Sequence, residues 1–154
     1  MRSVFADTLY WIAVVIPGDQ WHGPATRAHA SLGAVRLLTT DEVLGEVLTL
    51  LSRGGERIRQ LAVNMVRAIL SDPNVRVLHQ SRESFLGGVR LYADRRDKTY
   101  SLTDCISMNA MRSADVMEIL TNDRHFEQEG FRVLISQSGD EMRPTLDAQG
   151  HPTP

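Results

Sequence analysis

The sequence has one cysteine, no long apolar run and little excess of either charge. Because Cys105 is alone among 154 residues, an internal disulfide is excluded. The longest candidate for a membrane span, residues 11–16 (WIAVVI), is far shorter than the roughly 20 residues that cross a bilayer. The first residues also lack the long apolar segment of a secretory signal. These absences predict a cytoplasmic protein without a membrane segment.

The net charge of -2 excludes a polycation that coats nucleic acid without specificity. It leaves open a nucleic-acid substrate held by a local basic rim beside a metal ion. An apolar fraction of 42% and a charged fraction of 23% are ordinary for a globular protein. A chain of 154 residues is long enough for one domain with a substantial core.

Short apolar runs alternate with amphipathic helical patterns along most of the chain, which predicts an α/β fold with a parallel sheet. Strands are predicted at residues 3–6, 35–38, 75–78, 116–120 and 131–135. Beyond them, residues 136–154 contain few large apolar side chains and have two prolines among the last three residues. We therefore expect a folded domain over residues 1–135 and a flexible C-terminal tail over residues 136–154.

Four acids occur near predicted strand ends and helix starts. Asp7 directly follows the first strand, and Asp123 follows the fourth. Asp104 lies in the first turn of a mostly apolar helix, and Glu46 lies in an earlier helix that is apolar on both sides of it. Because ligands of open α/β sheets bind at the carboxyl ends of the strands, all four acids are candidates for one site at this edge.

Each acid also has a structural interpretation when it is taken alone. Asp7 is suited to be a helix N-cap, and Asp123 is suited to a helix start. Asp104 stands three residues after Ser101, in the pattern of a capping box. Glu46 is also compatible with the solvated stripe of its helix.

Taken together, the four acids point to a metal site. Converging carboxylates repel one another and raise each other's pKa values, so a divalent cation is needed to offset their charge. A ligand set made of oxygen atoms favours Mg²⁺ or Mn²⁺ over zinc. Such an ion can stabilise charge on a phosphodiester oxygen during hydrolysis. The sequence therefore predicts a metal-dependent enzyme.

Four motifs carry a resemblance to a known family: residues 4–8 (VFADT), 40–46 (TDEVLGE), 101–107 (SLTDCIS) and 121–126 (TNDRHF). Over about residues 4–135 the chain resembles the PIN-domain ribonucleases, especially the VapC-type toxins of prokaryotic toxin–antitoxin pairs. The resemblance implies a three-layer α/β/α fold with a central parallel sheet of about five strands and helices on both faces. It also implies metal-dependent hydrolysis of RNA, a homodimer and a cognate antitoxin protein.

The resemblance also implies roles for individual residues. Asp7, Asp104 and Asp123 would be the ligands of Mg²⁺ or Mn²⁺, and Glu46 would complete the shell or orient the attacking water. Residues expected to support the site are Thr8, Thr103, Asn122 and Asp97. Candidates for contact with RNA are Arg95, Arg96, Lys98, Arg124 and His125.

Other functions remain open at this level. A catalytically idle PIN-like fold would act as a binding module, although the set of acids is intact, and a PIN nuclease can also process RNA in a housekeeping role. A phosphatase with an Asp nucleophile after its first strand normally has a second Asp two residues on, where this chain has Leu9. A receiver domain is disfavoured because Asp7 comes too early to be its central phosphoacceptor.

Overall fold

The computed structural model describes residues 1–136, and residues 137–154 of the predicted tail lie outside the described residues. Five strands form one sheet in which every neighbouring pair is parallel, in the order β3-β2-β1-β4-β5. Their bounds are β1 Arg2–Ala6, β2 Val35–Thr40, β3 Val75–Leu78, β4 Glu118–Leu120 and β5 Arg132–Val133. The predicted α/β fold with a parallel sheet of about five strands is confirmed.

Helices connect the strands and cover the sheet. Their bounds are α1 Thr8–Val15, α2 His22–Ser31, α3 Asp41–Leu50, α4 Glu56–Ser71, α5 Arg82–Asp94, α6 Leu102–Ser113 and α7 His125–Gln128. Within residues 1–136, none of these helices combines the length and the apolar character needed to cross a membrane.

The central strand β1 is buried on both faces of the sheet. Val4, Phe5 and Ala6 are all fully buried, although successive side chains of a strand point to opposite faces. Strands of this kind read as continuous apolar runs, which is why residues 4–6 were predictable as a strand. The chain leaves β1 at the middle of the sheet, so the residue that follows it lies at the centre of the sheet's carboxyl edge.

Helix α6 is fixed in place by close packing against α5. Gly88 of α5 is buried, and a β-carbon added to it would come within 2.5 Å of Ile106 and 3.2 Å of Leu102 on α6. Only glycine permits this approach of the two helices. The contact matters for the site because α6 carries Asp104 in its first turn.

The start of α3 differs from the sequence pattern by one residue. The pattern makes Thr39 the N-cap and Glu42 its capping-box partner, but the N-cap is Thr40, whose hydroxyl accepts a hydrogen bond from the amide of Val43. Thr39 still belongs to β2, and its buried hydroxyl donates to the carbonyl of Ala6. Either of the two adjacent threonines could cap the helix. Because β2 continues through Thr39 to Thr40, the helix begins one residue later and Thr40 is the cap.

Candidate functional site

Asp7 lies at the junction between β1 and α1. It occupies the N-cap position of α1 but makes no side-chain capping hydrogen bond. Its side chain is instead turned towards β4, where its Oδ2 accepts a hydrogen bond from the hydroxyl of Thr121 at 3.0 Å. Burial raises the pKa of Asp7 to about 7, and the negative charges of Asp104 and Glu46 act in the same direction.

Asp104 has both a structural role and a place in the site. Its Oδ2 accepts from the amide of Ser101 at 3.0 Å, and the Ser101 hydroxyl accepts from the amide of Asp104, so the predicted capping box is confirmed. The side chain is only 14% exposed. Burial raises the pKa of Asp104, and the charges of Asp123 and Glu46 add to this effect. The capping box thus holds the carboxylate close to other acids.

Asp123 is held by the turn that follows β4. Its amide donates to the hydroxyl of Thr121 at 3.1 Å, and its Oδ1 accepts from the amide of His125 at 2.9 Å. The imidazole Nδ1 of His125 lies 3.2 Å from the same Oδ1 and 4.0 Å from Oδ2 of Asp104. Asp123, which the sequence also suits to a helix start, therefore has its carboxylate close to Asp104 and His125.

One cavity of about 550 Å³ brings the four predicted acids together. Its lining contains all four of them, the predicted supporting residues Thr8 and Asn122, and several apolar side chains. The acidic residues that share this cavity are Asp7, Glu46, Asp104, Asp123 and Asp19. They come from the junction between β1 and α1, from α3, from α6, from the turn after β4 and from the loop after α1, so the site forms where the central strands end.

Two predicted supporting residues lie elsewhere. Thr103 lines a neighbouring cavity between α5 and α6. Asp97 is 76% exposed at the side chain and pairs with Lys98 at 3.3 Å.

The five candidates for RNA contact fall into two groups, because Arg95, Arg96 and Lys98 line a separate cavity whereas Arg124 and His125 lie at the turn after β4. Arg124 lines the acidic cavity and pairs with Glu127 at 2.6 Å. Arg95 forms two hydrogen bonds through its Nε to Glu129 and a third through Nη2. Lys98 is the ion-pair partner of Asp97, whereas Arg96 is exposed. Of the predicted rim, only Arg124 and His125 therefore lie beside the acids.

The donor atoms present fit a divalent cation. One ligand atom each from Asp104, Asp123 and His125 lies within 4.8 Å of the others. The buried hydroxyl of Thr8 lines the same cavity and has no hydrogen-bond partner among the described residues. The raised pKa values of Asp7 and Asp104 arise from burial and from negative charge that a cation would offset. This set adds His125, which sequence reasoning assigned to RNA contact.

Sequence reasoning missed three residues of the cavity. Thr121 is fully buried and links two of the acids, but in the sequence it is one polar residue at a strand end. Asp19 and Trp21 precede α2 and line the cavity from the far side of α1. Nothing in the local sequence pattern shows which cavity this loop reaches.

Comparison with known proteins identifies the family. The family model for the PIN domain matches residues 4–131. The chain belongs to the PIN-domain family. Similar proteins include the 23S rRNA-specific endonuclease VapC20 from two strains of Mycobacterium tuberculosis, CDC 1551 / Oshkosh and ATCC 25618 / H37Rv. Each is 32% identical over 128 residues, which cover 83% of this chain and 95% of the relative.

A solved PIN-domain structure agrees with the fold described above. The crystal structure of Mycobacterium tuberculosis VapC20, described as a toxin that cleaves the sarcin-ricin loop, superposes with a TM-score of 0.74 at 30% identity. The match covers 83% of this chain and 95% of that one. The predictions of a VapC-type PIN domain, of its α/β/α fold and of a nuclease are therefore confirmed.

Proposed function

We propose that the chain is an endoribonuclease that depends on Mg²⁺ or Mn²⁺ and has Asp7, Glu46, Asp104 and Asp123 as its catalytic acids. The observation that carries this proposal is the convergence of four carboxylates from separate elements in one cavity of a PIN domain. Two of these acids have raised pKa values, which supports a site that binds positive charge.

The position of each residue in the cavity suggests its role. Asp7, Asp104 and Asp123 would hold the ion, and His125 is close enough to Asp104 and Asp123 to assist them. When bound, the ion supplies positive charge that stabilises the phosphodiester oxygens during hydrolysis. Glu46 would complete the ligand shell or accept the proton of the attacking water. Thr8 and Asn122 line the cavity as polar supports.

The substrate we infer is RNA, and the first RNA to test is 23S rRNA because it is the target named for the VapC20 relatives. Arg124 borders the acids and would meet the RNA backbone, since most protein contacts that position nucleic acid go to phosphates. We further propose a cognate antitoxin, a homodimer and a cytoplasmic location, which the resemblance to VapC-type toxins supports.

The domain boundary we propose is residue 135. Ile135 is 1% exposed, and its amide donates to the carbonyl of Thr121 at 3.2 Å, so residues up to this point contribute to the site. The PIN domain would then occupy residues 1–135, and residues 136–154 would lie outside it as a C-terminal tail.

The test is cleavage of a cellular RNA pool, with purified 23S rRNA in parallel. Four reactions are compared: the parent with Mn²⁺, the parent with Mg²⁺, the parent with EDTA, and Asp7→Asn with Mn²⁺. We expect discrete fragments from the parent with metal and none from the other two reactions. Cleavage that persists in EDTA or in the folded Asp7→Asn variant would refute the proposed site. Absence of cleavage under every condition would favour an idle binding module.

A further inference from the structure

The cavity that holds the acids continues into an apolar half. Ile12 lies one turn after Thr8 on α1, and Leu50 lies one turn after Glu46 on α3. All four side chains line the cavity. Residues four apart share a helix face and are separated by about 6 Å along the axis. Along both helices, a polar residue is therefore followed by an apolar one at a distance close to that between the phosphate and the base of one nucleotide.

Trp21 forms the third side of this apolar half. It lines the cavity from the connection between α1 and α2, and its side chain is only partly buried. Its amide donates to Oδ1 of Asp19 at 2.8 Å, and its carbonyl accepts from the amide of Ala25 at 2.9 Å. The backbone that carries the indole is therefore fixed on both sides.

The neighbouring segment strengthens this placement. The imidazole Nδ1 of His22 lies 2.7 Å from the carbonyl of Ala13 on α1, which ties the start of α2 to α1. Leu50 is 61% exposed although it is apolar and borders the acids. The indole of Trp21, whose backbone is held on both sides, and the exposed Leu50 lie beside the acids and form an apolar surface that is open to a flat ligand.

We propose that Trp21, with Ile12 and Leu50, binds one nucleobase of the RNA next to the phosphate that is cleaved. This inference rests on the proposed nuclease function. Single-stranded and loop regions of RNA are recognised through bases stacked on aromatic side chains. Continuity with the acids favours RNA over a protein ligand, because a nucleotide presents its phosphate and its base about one helical turn apart. Stacking would select an unpaired base at this position.

Binding in a cleavage-inactive background tests the subsite apart from the chemistry. The full chain with Asp7→Asn is titrated into a dye-labelled short single-stranded RNA and into a dye-labelled abasic ribose-phosphate oligomer of equal length; dye anisotropy gives the affinity of every variant, and tryptophan fluorescence is followed in variants that keep Trp21. We expect quenching by the RNA and little by the abasic oligomer. Trp21→Leu should weaken RNA binding between roughly 5-fold and 100-fold, whereas Trp21→Phe should retain most of it.

The second tryptophan provides a matched control. Trp11 is 6% exposed, and its indole donates to the hydroxyl of Thr39, away from the cavity. Trp11→Phe should leave both the affinity for RNA and the quenching by RNA intact. Circular dichroism and thermal melting confirm that each variant is folded before its affinity is compared.

The outcomes separate this inference from the proposed function. Metal-dependent cleavage by the parent, together with unchanged RNA affinity in folded Trp21→Leu, would overturn the subsite and leave the nuclease standing. If Trp21→Leu lost binding of the proposed antitoxin but kept its affinity for RNA, the base subsite would also be overturned. A parent that neither binds nor cleaves RNA would overturn both proposals.

Discussion

The hydroxyl of Thr121 donates a hydrogen bond to the carboxylate of Asp7 at 3.0 Å, across 114 residues of sequence. The same oxygen accepts from the amide of Asp123 at 3.1 Å. Thr121 is fully buried and follows β4, which pairs with β1 at the centre of the sheet. A single hydroxyl thereby holds two candidate metal ligands that follow the ends of neighbouring strands.

Replacement of Thr121 should therefore weaken both the fold and the activity. Thr121→Val keeps the side-chain shape but leaves the amide of Asp123 without its acceptor, which should lower the free energy of unfolding by about 1–3 kcal/mol. RNA cleavage should fall as well, because Asp7 loses a donor. Thr121→Ser retains the hydroxyl and should recover most of the activity. Equal activity of the Val and Ser variants would show that the hydroxyl is not needed.

Glu46 can be distinguished from its neighbour on the same helix. Glu46→Gln should reduce the cleavage rate roughly 10²- to 10⁴-fold if this carboxylate acts on the attacking water. Glu42→Gln is the matched control, because Glu42 lies one turn earlier on α3 and faces Ser84 of α5. Single-turnover cleavage with saturating Mn²⁺ is the measurement. Comparable losses in both variants would argue against a specific role for Glu46.

The stability of the metal-free protein should depend on pH through Asp7. Its pKa rises from 3.8 to about 7 on folding, so between these values the folded chain holds one more proton than the unfolded chain. The free energy of unfolding should then fall as pH increases from about 4 to about 7, by up to about 1.4 kcal/mol per pH unit. Urea unfolding in EDTA measures this slope. Asp7→Asn should flatten it, and an unchanged slope in that variant would contradict the prediction.

Under the proposed function, divalent metal should stabilise the fold because it would bind a cluster that exists only in the folded state. Saturation at one hundred times Kd adds about 2.7 kcal/mol, which is visible as a rise in Tm. Mn²⁺ and Mg²⁺ are compared in thermal melts of the parent, of Asp104→Asn and of Asp72→Asn. Asp104→Asn should lose the rise. Asp72→Asn changes an exposed acid after α4 and should keep it, so a loss in both variants would indicate non-specific ion binding.

The acids were predictable because their signals are local. Residues 4–6 read as a buried strand, and the carboxylate that follows such a strand in a parallel sheet lies at the ligand-binding edge. Asp104 was predictable as part of a capping box because the partner, Ser101, is three residues away. The positions of Asp7 and Asp104 could therefore be predicted from a few neighbouring residues alone.

Trp21 and Thr121 were not predictable in the same way. Their roles depend on which distant elements pack beside them, and neither strand alternation nor helical spacing encodes this. Arg95 was identified from the sequence, but the role predicted for it does not fit its surroundings. Its charge suggested RNA contact, but its guanidinium is bound to Glu129, whose pKa Arg95 and other partners lower to about 2. A sequence shows that a cation is present but not whether a carboxylate already holds it.

The strand order has a consequence for the synthesis of the protein. β1 is made first, yet its neighbour β4 is made only after β2 and β3 have been completed. The contact of Asp7 with Thr121, and its approach to Asp123, can therefore form only after most of the described residues have been made. A nascent chain that ends before residue 121 lacks Asp123 and the hydroxyl that holds Asp7. The strand order thus completes the acidic cavity only after β4 and the turn that follows it have been made.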